Sequence, residues 1–478
     1  ERLGLSFNHA RRERERETTY PTRLDPRLIS REVLDKQAFG SNKLLGGFST
    51  AAHRRLAAVN LSWERRRVLL NSLDLPDLPN LVDLVVPDLG RKDSRGFGSL
   101  KIHGLMTLTQ LDACAGRIPA LLGNKNFVNA YLLRLVPKSD EDMDAPAVRL
   151  AYLARLHTFA EKLPPAWNVL KANVRYRRLE FDRTQDVYGR ARFLAYLQLP
   201  RSAGYVRREY LRKREFRGVT VNLGATVGGY PILRDRIGND EPLVRAYLHR
   251  LLADAQGYGA FAPYLEETYL KEVYAEANIL AGVGDQERWH AMIAPARLRA
   301  LKERVDIELL PTCKKRFGVE EAVKLTVGIK NVQSLLVRVY EINTFNYYRA
   351  KGKEVGTSVD LDGLVANREQ TLTYEQPALR RHDEVFPFPE LNRPGVWVVE
   401  LIGNGRSSRA VIRKGQLRFA ERWGAAGHVF RIYDQDNVLV KDATLWLGSQ
   451  EYRPDEEGEI AVPFSTGSGP KPSPMGVG

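Results

Sequence analysis

The feature of this sequence that most constrains its fold is a change in hydrophobic periodicity near Leu310-Pro311. Before this point apolar residues recur at helical spacing, as in residues 127–136 and 148–163. After it, short β-branched and aromatic runs alternate with turns rich in Gly, Asn and Asp. The sequence therefore predicts a multidomain α + β chain, in which a mostly α-helical N-terminal region is followed by antiparallel β-sandwich domains.

Domain limits follow from the same pattern, because 478 residues are too many for one ordinary core. A short β insert is expected where residues 219–227 alternate like a strand. The predicted divisions are a basic, weakly ordered arm (1–50), an α-helical domain (51–200), a second mainly helical region with the β insert (201–310), a β-sandwich (311–415), the start of a second β-sandwich (416–465) and a linker (466–478).

The C-terminal third contains short apolar runs that we interpret as strands. They are Val323–Val327, Leu335–Ile342, Val396–Ile402, Ser408–Arg413, Val429–Tyr433, Ala443–Leu447 and Glu459–Pro463. Gly403-Asn404-Gly405 lacks the Lys-Ser/Thr pair of a phosphate-binding loop and precedes a strand, so a hairpin turn is favoured. Asp434-Gln435-Asp436-Asn437 lacks the Gly and late Glu of an EF-hand loop, which favours a β-turn.

Two blocks of this β region resemble known domains. The block 438–447, followed by Tyr452 and the acidic-Gly turn and apolar strand of 455–464, resembles an MG2-type β-sandwich of the α2-macroglobulins. Residues 330–343 with 395–403 are similar to the preceding domain of the same kind. The resemblance covers about residues 311–465 and implies a large, bacterial, macroglobulin-like multidomain protein.

That resemblance carries expectations about place and activity. It implies an extracytoplasmic location (periplasmic, cell-surface or secreted), with a cytoplasmic one as the alternative. The reactive thioester sequence of the family, Cys-x-Glu-Gln, is absent, since neither Cys114 nor Cys313 begins such a string. A protease-trapping role is therefore assigned to no residue, and a bait or thioester would have to lie beyond residue 478.

Charge gives the main binding signal. The chain has a formal net charge of +15, and a basic surface of that size attracts polyanions. Arginine interleaved with tyrosine could hold phosphates and stack bases, whereas Tyr210 and Leu211 could equally point into a core with the arginines outward. The candidate polyanion or partner contacts are Arg175, Tyr176, Arg177, Arg178, Arg207, Arg208, Tyr210, Arg212, Lys213 and Arg214.

Catalytic and metal signatures do not emerge from the sequence. The 8 histidines form no His-x-x-x-His pair and accompany no Gly-x-Ser-x-Gly motif, and His382-Asp383-Glu384 reads as an acidic loop. We therefore predict no cofactor, no metal and no enzymatic activity. No apolar stretch approaches the roughly 20 residues of a membrane span. The start at Glu1 and the Gly/Pro/Ser-rich end suggest a processed or excised piece.

These observations favour a non-enzymatic scaffold or interaction segment of a macroglobulin-like surface or envelope protein, with a protein as its partner. One alternative is the leading frame of a macroglobulin-type protease inhibitor. A second is a polyanion-binding module that uses residues 171–217, with nucleic acid as the less favoured partner.

Overall fold

The computed structural model describes residues 50–58, 61–138, 141–424, 427–447 and 450–464. The arm predicted over residues 1–50, apart from Thr50, and the linker predicted over 466–478 lie outside these ranges. The chain forms two compact units. The first unit contains the described part of Glu1–Phe181, together with Arg190–Leu243 and Pro263–Glu266. The second unit contains Asp182–Gly189, Val244–Ala262 and the described residues from Glu267 onward.

The region before the β-strands is helical. Its α-helices are α1 (Thr50–Ala57), α2 (Trp63–Ser72), α3 (Leu81–Leu89), α4 (Leu108–Arg117), α5 (Lys125–Leu135), α6 (Pro146–Lys162), α7 (Asn168–Thr184), α8 (Arg190–Leu197), α9 (Arg208–Leu211), α10 (Glu241–Leu252), α11 (Glu267–Ala281), α12 (Gln286–Met292) and α13 (Pro295–Glu303). Short 3₁₀ turns lie at Lys101–Gly104, Pro119–Gly123, Pro165–Trp167 and Arg214–Phe216.

Local sequence sets several of the helix ends. Ser62 caps α2 by accepting a hydrogen bond from the Arg65 amide. Thr107 and Gln110 form a capping box at the start of α4. Pro146 and Pro295 occupy the first turns of α6 and α13, where the missing amide hydrogen costs nothing.

The first unit is built around an apolar core from α1 to α7. Aromatic rings lie at its centre: Phe97 meets Phe127 edge-on at 5.0 Å, and Tyr131 stacks on Phe159 at 3.8 Å between ring centroids. Burying these rings supplies the largest apolar contribution per residue in such a core.

The second unit contains the β-sheets. Its strands are β1 (Asp306–Leu309), β2 (Arg316–Phe317), β3 (Lys324–Lys330), β4 (Ser334–Ile342), β5 (Arg368–Thr373), β6 (Arg381–Pro387), β7 (Gly395–Gly403), β8 (Arg406–Lys414), β9 (Arg418–Trp423), β10 (Gly427–Tyr433), β11 (Leu445–Leu447), β12 (Gln450–Tyr452) and β13 (Glu459–Pro463). A further helix, α14 (Thr344–Lys351), follows β4.

The first β domain is a sandwich of two sheets. A three-stranded sheet, β1-β3-β6, faces a five-stranded sheet, β2-β8-β7-β4-β5, and every pairing is antiparallel except β2 with β8. Alternate residues of β3, β4 and β7 point inward, including Val327, Val337 and Val399, so that the core lies between the sheets.

A smaller module follows at the C-terminal end of the described chain. It contains the sheets β13-β10-β9 and β11-β12 around Phe430, Ile432 and Ile460. Its contacts with the first sandwich within the second unit include Phe345, which meets Trp446 edge-on at 5.9 Å, and Arg349, which lies 4.9 Å from the centre of the same ring. The Val319 amide also donates to Gln435 at 3.0 Å.

The structure confirms the predicted fold class, since a helical region precedes antiparallel sheets. It also confirms the hairpin at Gly403-Asn404-Gly405, where Asn404 and Gly405 join β7 to β8 with φ of 44° and 74°. At Asp434 the carboxylate accepts the Asp436 and Val438 amides, so the predicted turn is also confirmed. His382-Asp383-Glu384 lies in β6, so its placement in a loop is wrong.

The strand expected over residues 219–227 is not formed. Only Val221 makes an isolated bridge, to Arg201. Gly218 turns the chain with φ of 78°, and the Asn222 side chain accepts the Gly224 amide, so the segment folds as consecutive turns. Alternation alone could not reveal this, because local side-chain bonds to the backbone compete with strand pairing.

Candidate interaction surface

A buried ion pair fixes the chain just before the basic run that begins at Arg207. Arg201 and Asp240 are both fully buried, and Arg201 Nη1 donates to Asp240 Oδ2. The Tyr205 hydroxyl donates to Asp240 Oδ1, and the Tyr196 hydroxyl donates to Oδ2 at 2.7 Å. The guanidinium also lies 4.4 Å from the centre of the Tyr196 ring.

The environment of this pair keeps its charges in place. Burial alone would lower the pKa of Arg201, but Tyr205, Tyr196 and Asp240 raise that pKa overall. Burial raises the pKa of Tyr196 and of Tyr205 well above the usual range, so both hydroxyls remain donors. A charged pair without access to water needs such bonds, because each ion has lost its hydration.

From Tyr205 to Arg208 the backbone is tied to a second segment of the same unit. The Glu266 amide donates to Tyr205 O at 3.0 Å, and the Arg207 amide donates to Tyr264 O at 3.0 Å. The Arg208 amide donates to Glu266 Oε1 at 3.0 Å. These bonds fix the start of the short helix α9.

Tyr210 anchors α9 from below. Its side chain is only 7% exposed, and its hydroxyl donates to Gln198 O at 2.6 Å. The ring packs against Phe216 at 4.9 Å and edge-on against Tyr264 at 5.2 Å. Burial raises the pKa of Tyr210 to about 12. Tyr210 is therefore a packing residue and is unavailable to stack on a nucleic-acid base.

Around this anchor the cations point outward and form what we call the basic surface. Its members are Arg207, Arg208, Arg212, Lys213, Arg214 and Arg217, all of them exposed. Arg207 pairs with Glu209 at 3.2 Å, and Lys213 lies 4.8 Å from the centre of the Tyr210 ring. Within the described chain, the side chains of Arg212, Arg214 and Arg217 make no ion pair, so their charges are open to a partner.

The other predicted cluster, Arg175 to Arg178, is used by the fold itself. Arg175 is 16% exposed; its Nη2 bonds Glu161 Oε1 at 2.8 Å and its Nη1 donates to Ala195 O at 2.5 Å. Arg177 is 14% exposed, bonding Glu180 at 2.7 Å. Tyr176 and Arg178 are half-buried. The structure therefore divides the predicted set: its members in 207–214 are exposed apart from the buried Tyr210, whereas the four residues of 175–178 are half-buried, with Arg175 and Arg177 held in ion pairs.

Two features of this site were not predicted from the sequence. Arg217 ends the predicted 171–217 region but was not among the candidate contacts, and the structure adds it to the basic surface. The ion pair of Arg201 with Asp240 joins positions far apart in sequence, and no local pattern predicts that these two residues meet.

Outside the basic surface, the described residues show few groups suited to metal binding or catalysis. They contain no group of His, Cys, Asp and Glu placed to hold a metal ion. A groove of about 890 Å³ lies within the second unit, but its acids and bases balance: Arg183, Arg250 and Arg381 are matched by Asp186, Glu308 and Asp383. No helix in the described ranges has both the length and the apolar character of a membrane span.

The chain matches a known protein family over most of its length. The family model of the actin-binding protein F N-terminal domain matches residues 28–305, more than half of the sequence. The chain belongs to the actin-binding protein F N-terminal domain family. The basic surface and its buried anchor both lie within this match.

Further similarity supports the family assignment. The model of the first immunoglobulin-like domain of AbpF matches residues 335–415, which include β4 to β8. The chain is 32% identical over 380 residues to actin-binding protein F of Dictyostelium discoideum, an alignment that covers 78% of this chain and 16% of that protein. The chain therefore spans about a sixth of the length of this relative.

Solved structures show only a weak likeness. One contains the domains MG0-NIE-MG1 of native alpha-2-macroglobulin from Escherichia coli, with 10% identity, a TM-score of 0.24, and coverage of 34% of this chain and 58% of that one. A second contains NIE-MG1 of the same protein, with 11% identity, a TM-score of 0.22, and coverage of 34% and 88%. Both TM-scores are too low to indicate a shared fold. The family match shows that the β domain over residues 335–415 is immunoglobulin-like, whereas a macroglobulin relationship stays a prediction.

Proposed function

We propose that this chain is an actin-binding segment, non-enzymatic, and that it contacts actin through the basic surface. The relative that matches this chain is named an actin-binding protein. The basic surface lies in the first unit, and the family match covers that unit from residue 50 onward.

The observation that carries this proposal is the exposure of unpaired cations on a firmly held segment. Most other arginines whose contacts are described above are paired with carboxylates, as Arg175 and Arg177 are, whereas Arg212, Arg214 and Arg217 are exposed and make no ion pair within the described residues. A backbone fixed by Tyr210 and by the bonds to Tyr264 and Glu266 presents these charges without a large ordering cost on binding.

Co-sedimentation with filamentous actin tests the proposal. The chain should enter the pellet in a saturable manner as the actin concentration rises, and should remain in the supernatant when centrifuged alone. Added salt should weaken the binding, because exposed charges are screened. A chain that stays in the supernatant with saturating actin at low ionic strength would overturn the proposal.

The earlier alternatives receive less support. Nucleic-acid binding through residues 171–217 would use aromatic rings for stacking. Tyr210 is buried, and Tyr176 and Phe216 are half-buried, so the basic surface offers no open ring. The envelope location and the protease-inhibitor frame rest on the macroglobulin resemblance alone and stay predictions.

A further inference from the structure

We propose that the basic surface recognises a run of carboxylates on an acidic polypeptide, with Arg208 and Arg212 acting as a pair of guanidinium forks. The inference rests on the proposed function, since it names the chemical character of the partner segment that the surface contacts.

The position of the two arginines on α9 makes them a pair. Arg208 is the first residue of the helix, and Arg212 follows its last residue with helical backbone angles, φ −76° and ψ −8°. Residues at i and i+4 of a helical turn lie on one face with their Cβ atoms about 5–6 Å apart. The Arg212 amide bonds to Arg208 O at 3.1 Å, which holds this geometry. Both side chains are exposed.

That spacing matches carboxylates on one face of a polypeptide. In an extended segment, alternate side chains share a face about 7 Å apart. In a helix, residues four apart are about 6 Å apart. A guanidinium presents parallel N–H donors that fit both oxygens of a carboxylate, so two forks can bind two acidic side chains at once.

The surroundings favour a polypeptide over a nucleic acid. Phosphates would satisfy the same forks, but binding of single strands also uses stacked bases. Lys213 lies over the rings of Tyr210 and Phe216, at 4.8 Å and 6.0 Å from their centroids, and so covers the aromatic residues of the surface.

The test uses the whole chain and a fluorescein-labelled poly-L-glutamate, with single-stranded DNA of matched charge as the competing probe, and follows fluorescence anisotropy. Poly-L-glutamate should bind saturably and more tightly than DNA. The double variant Arg208→Lys with Arg212→Lys keeps both charges but loses the forks, so its affinity should fall about tenfold, as expected for the loss of one or two charge-assisted bonds. The matched control, Arg95→Lys with Arg299→Lys, changes exposed arginines elsewhere and should bind like the wild type.

Three results would overturn the inference: no binding of poly-L-glutamate, DNA bound as tightly or more tightly, or unchanged affinity in the Arg208→Lys, Arg212→Lys variant. Actin co-sedimentation separates these results from a failure of the proposed function. If actin binds while poly-L-glutamate does not, only the carboxylate inference is wrong; if poly-L-glutamate binds while actin does not, the acidic partner is another protein.

Discussion

Arg201 and Asp240 form an ion pair with no exposure to solvent, and two tyrosine hydroxyls complete the bonding of the carboxylate. The pair lies directly before the segment that carries the basic surface. Its energetic role is conditional, because a buried pair is favourable only while both partners remain.

Replacing Asp240 by Asn should therefore be costly. The guanidinium of Arg201 would stay buried without a counterion, and we expect a loss of about 3–5 kcal/mol in the free energy of unfolding. Urea denaturation followed by circular dichroism measures this. Asp186→Asn is the control, since its pairing with Arg250 at 3.8 Å is exposed and should contribute less than about 1 kcal/mol. Equal losses in the two variants would contradict this assignment.

Tyr210 provides a test of which of the two alternatives from the sequence holds, and the structure favours packing in a core. If it is a packing residue, Tyr210→Phe keeps the ring, loses the bond to Gln198 O, and lowers the free energy of unfolding by about 1–2 kcal/mol. Actin binding by the folded variant should be unchanged. A folded variant that has lost binding would show that the Tyr210 hydroxyl contacts the partner.

Gly328 provides a test of the β-sandwich. The Arg381 side chain crosses this glycine on the sheet face to reach Glu308 at 2.8 Å, and an added Cβ would lie 2.8 Å from the Arg381 Cζ. Gly328→Ala should displace the guanidinium and cost about 0.5–1 kcal/mol. In an Arg381→Ala background the same change should cost nothing, and a double-mutant cycle measures the difference. Additive effects would mean that the two residues do not interact.

His103 predicts a dependence of stability on pH. Burial lowers the pKa of His103 from 6.5 to about 4; among smaller effects, Asp88 raises this pKa and Arg67 lowers it further. Since the unfolded state binds the proton more readily, His103 contributes stability that is present above pH 6.5 and lost as the pH falls toward 4. The difference approaches about 3 kcal/mol at 1.36 kcal/mol per pKa unit.

The variant His103→Gln isolates this effect, because Gln can also accept the Gly98 amide that now donates to His103 Nδ1 at 2.9 Å. Urea unfolding of both proteins across this pH range gives the comparison. The wild type should lose more stability than the variant on acidification. Parallel losses would assign the acid sensitivity to other groups, such as His249, whose pKa burial also lowers to about 4.

The sequence predicts those parts of the fold that are set by residues close together in the chain. The change from helix to strand, the hairpin at Asn404-Gly405 and the turn at Asp434 follow from short-range patterns, and the structure confirms each. Strands β1, β2, β5, β6, β9 and β12 were not predicted. Of these, β5, β6 and β9 carry many charged residues and show no clear apolar alternation, and β5 and β9 are mostly exposed at sheet edges.

In the candidate site, too, features set by neighbouring residues could be predicted and features set by distant residues could not. That a basic run would present arginines to solvent was predictable from the charge of residues 207–214. That Arg175 would be occupied was not, because Glu161 and the Ala195 carbonyl oxygen reach it from other parts of the chain. Arg177 pairs with the local Glu180, but its second bond, to the Asp235 carbonyl oxygen, is also long-range. Tertiary contacts decide which arginines remain available, and a local pattern carries no record of them.

The most direct test of the central claim is actin co-sedimentation of the triple variant Arg212→Glu, Arg214→Glu, Arg217→Glu. Its control, Lys92→Glu, Arg95→Glu, Lys125→Glu, makes the same change of charge at exposed positions of the same unit that form no ion pair with any described residue. We predict that the control binds like the wild type, and that the first variant, shown to be folded by circular dichroism, loses most of its binding. Equal binding by both variants would contradict the basic surface as the site of actin contact.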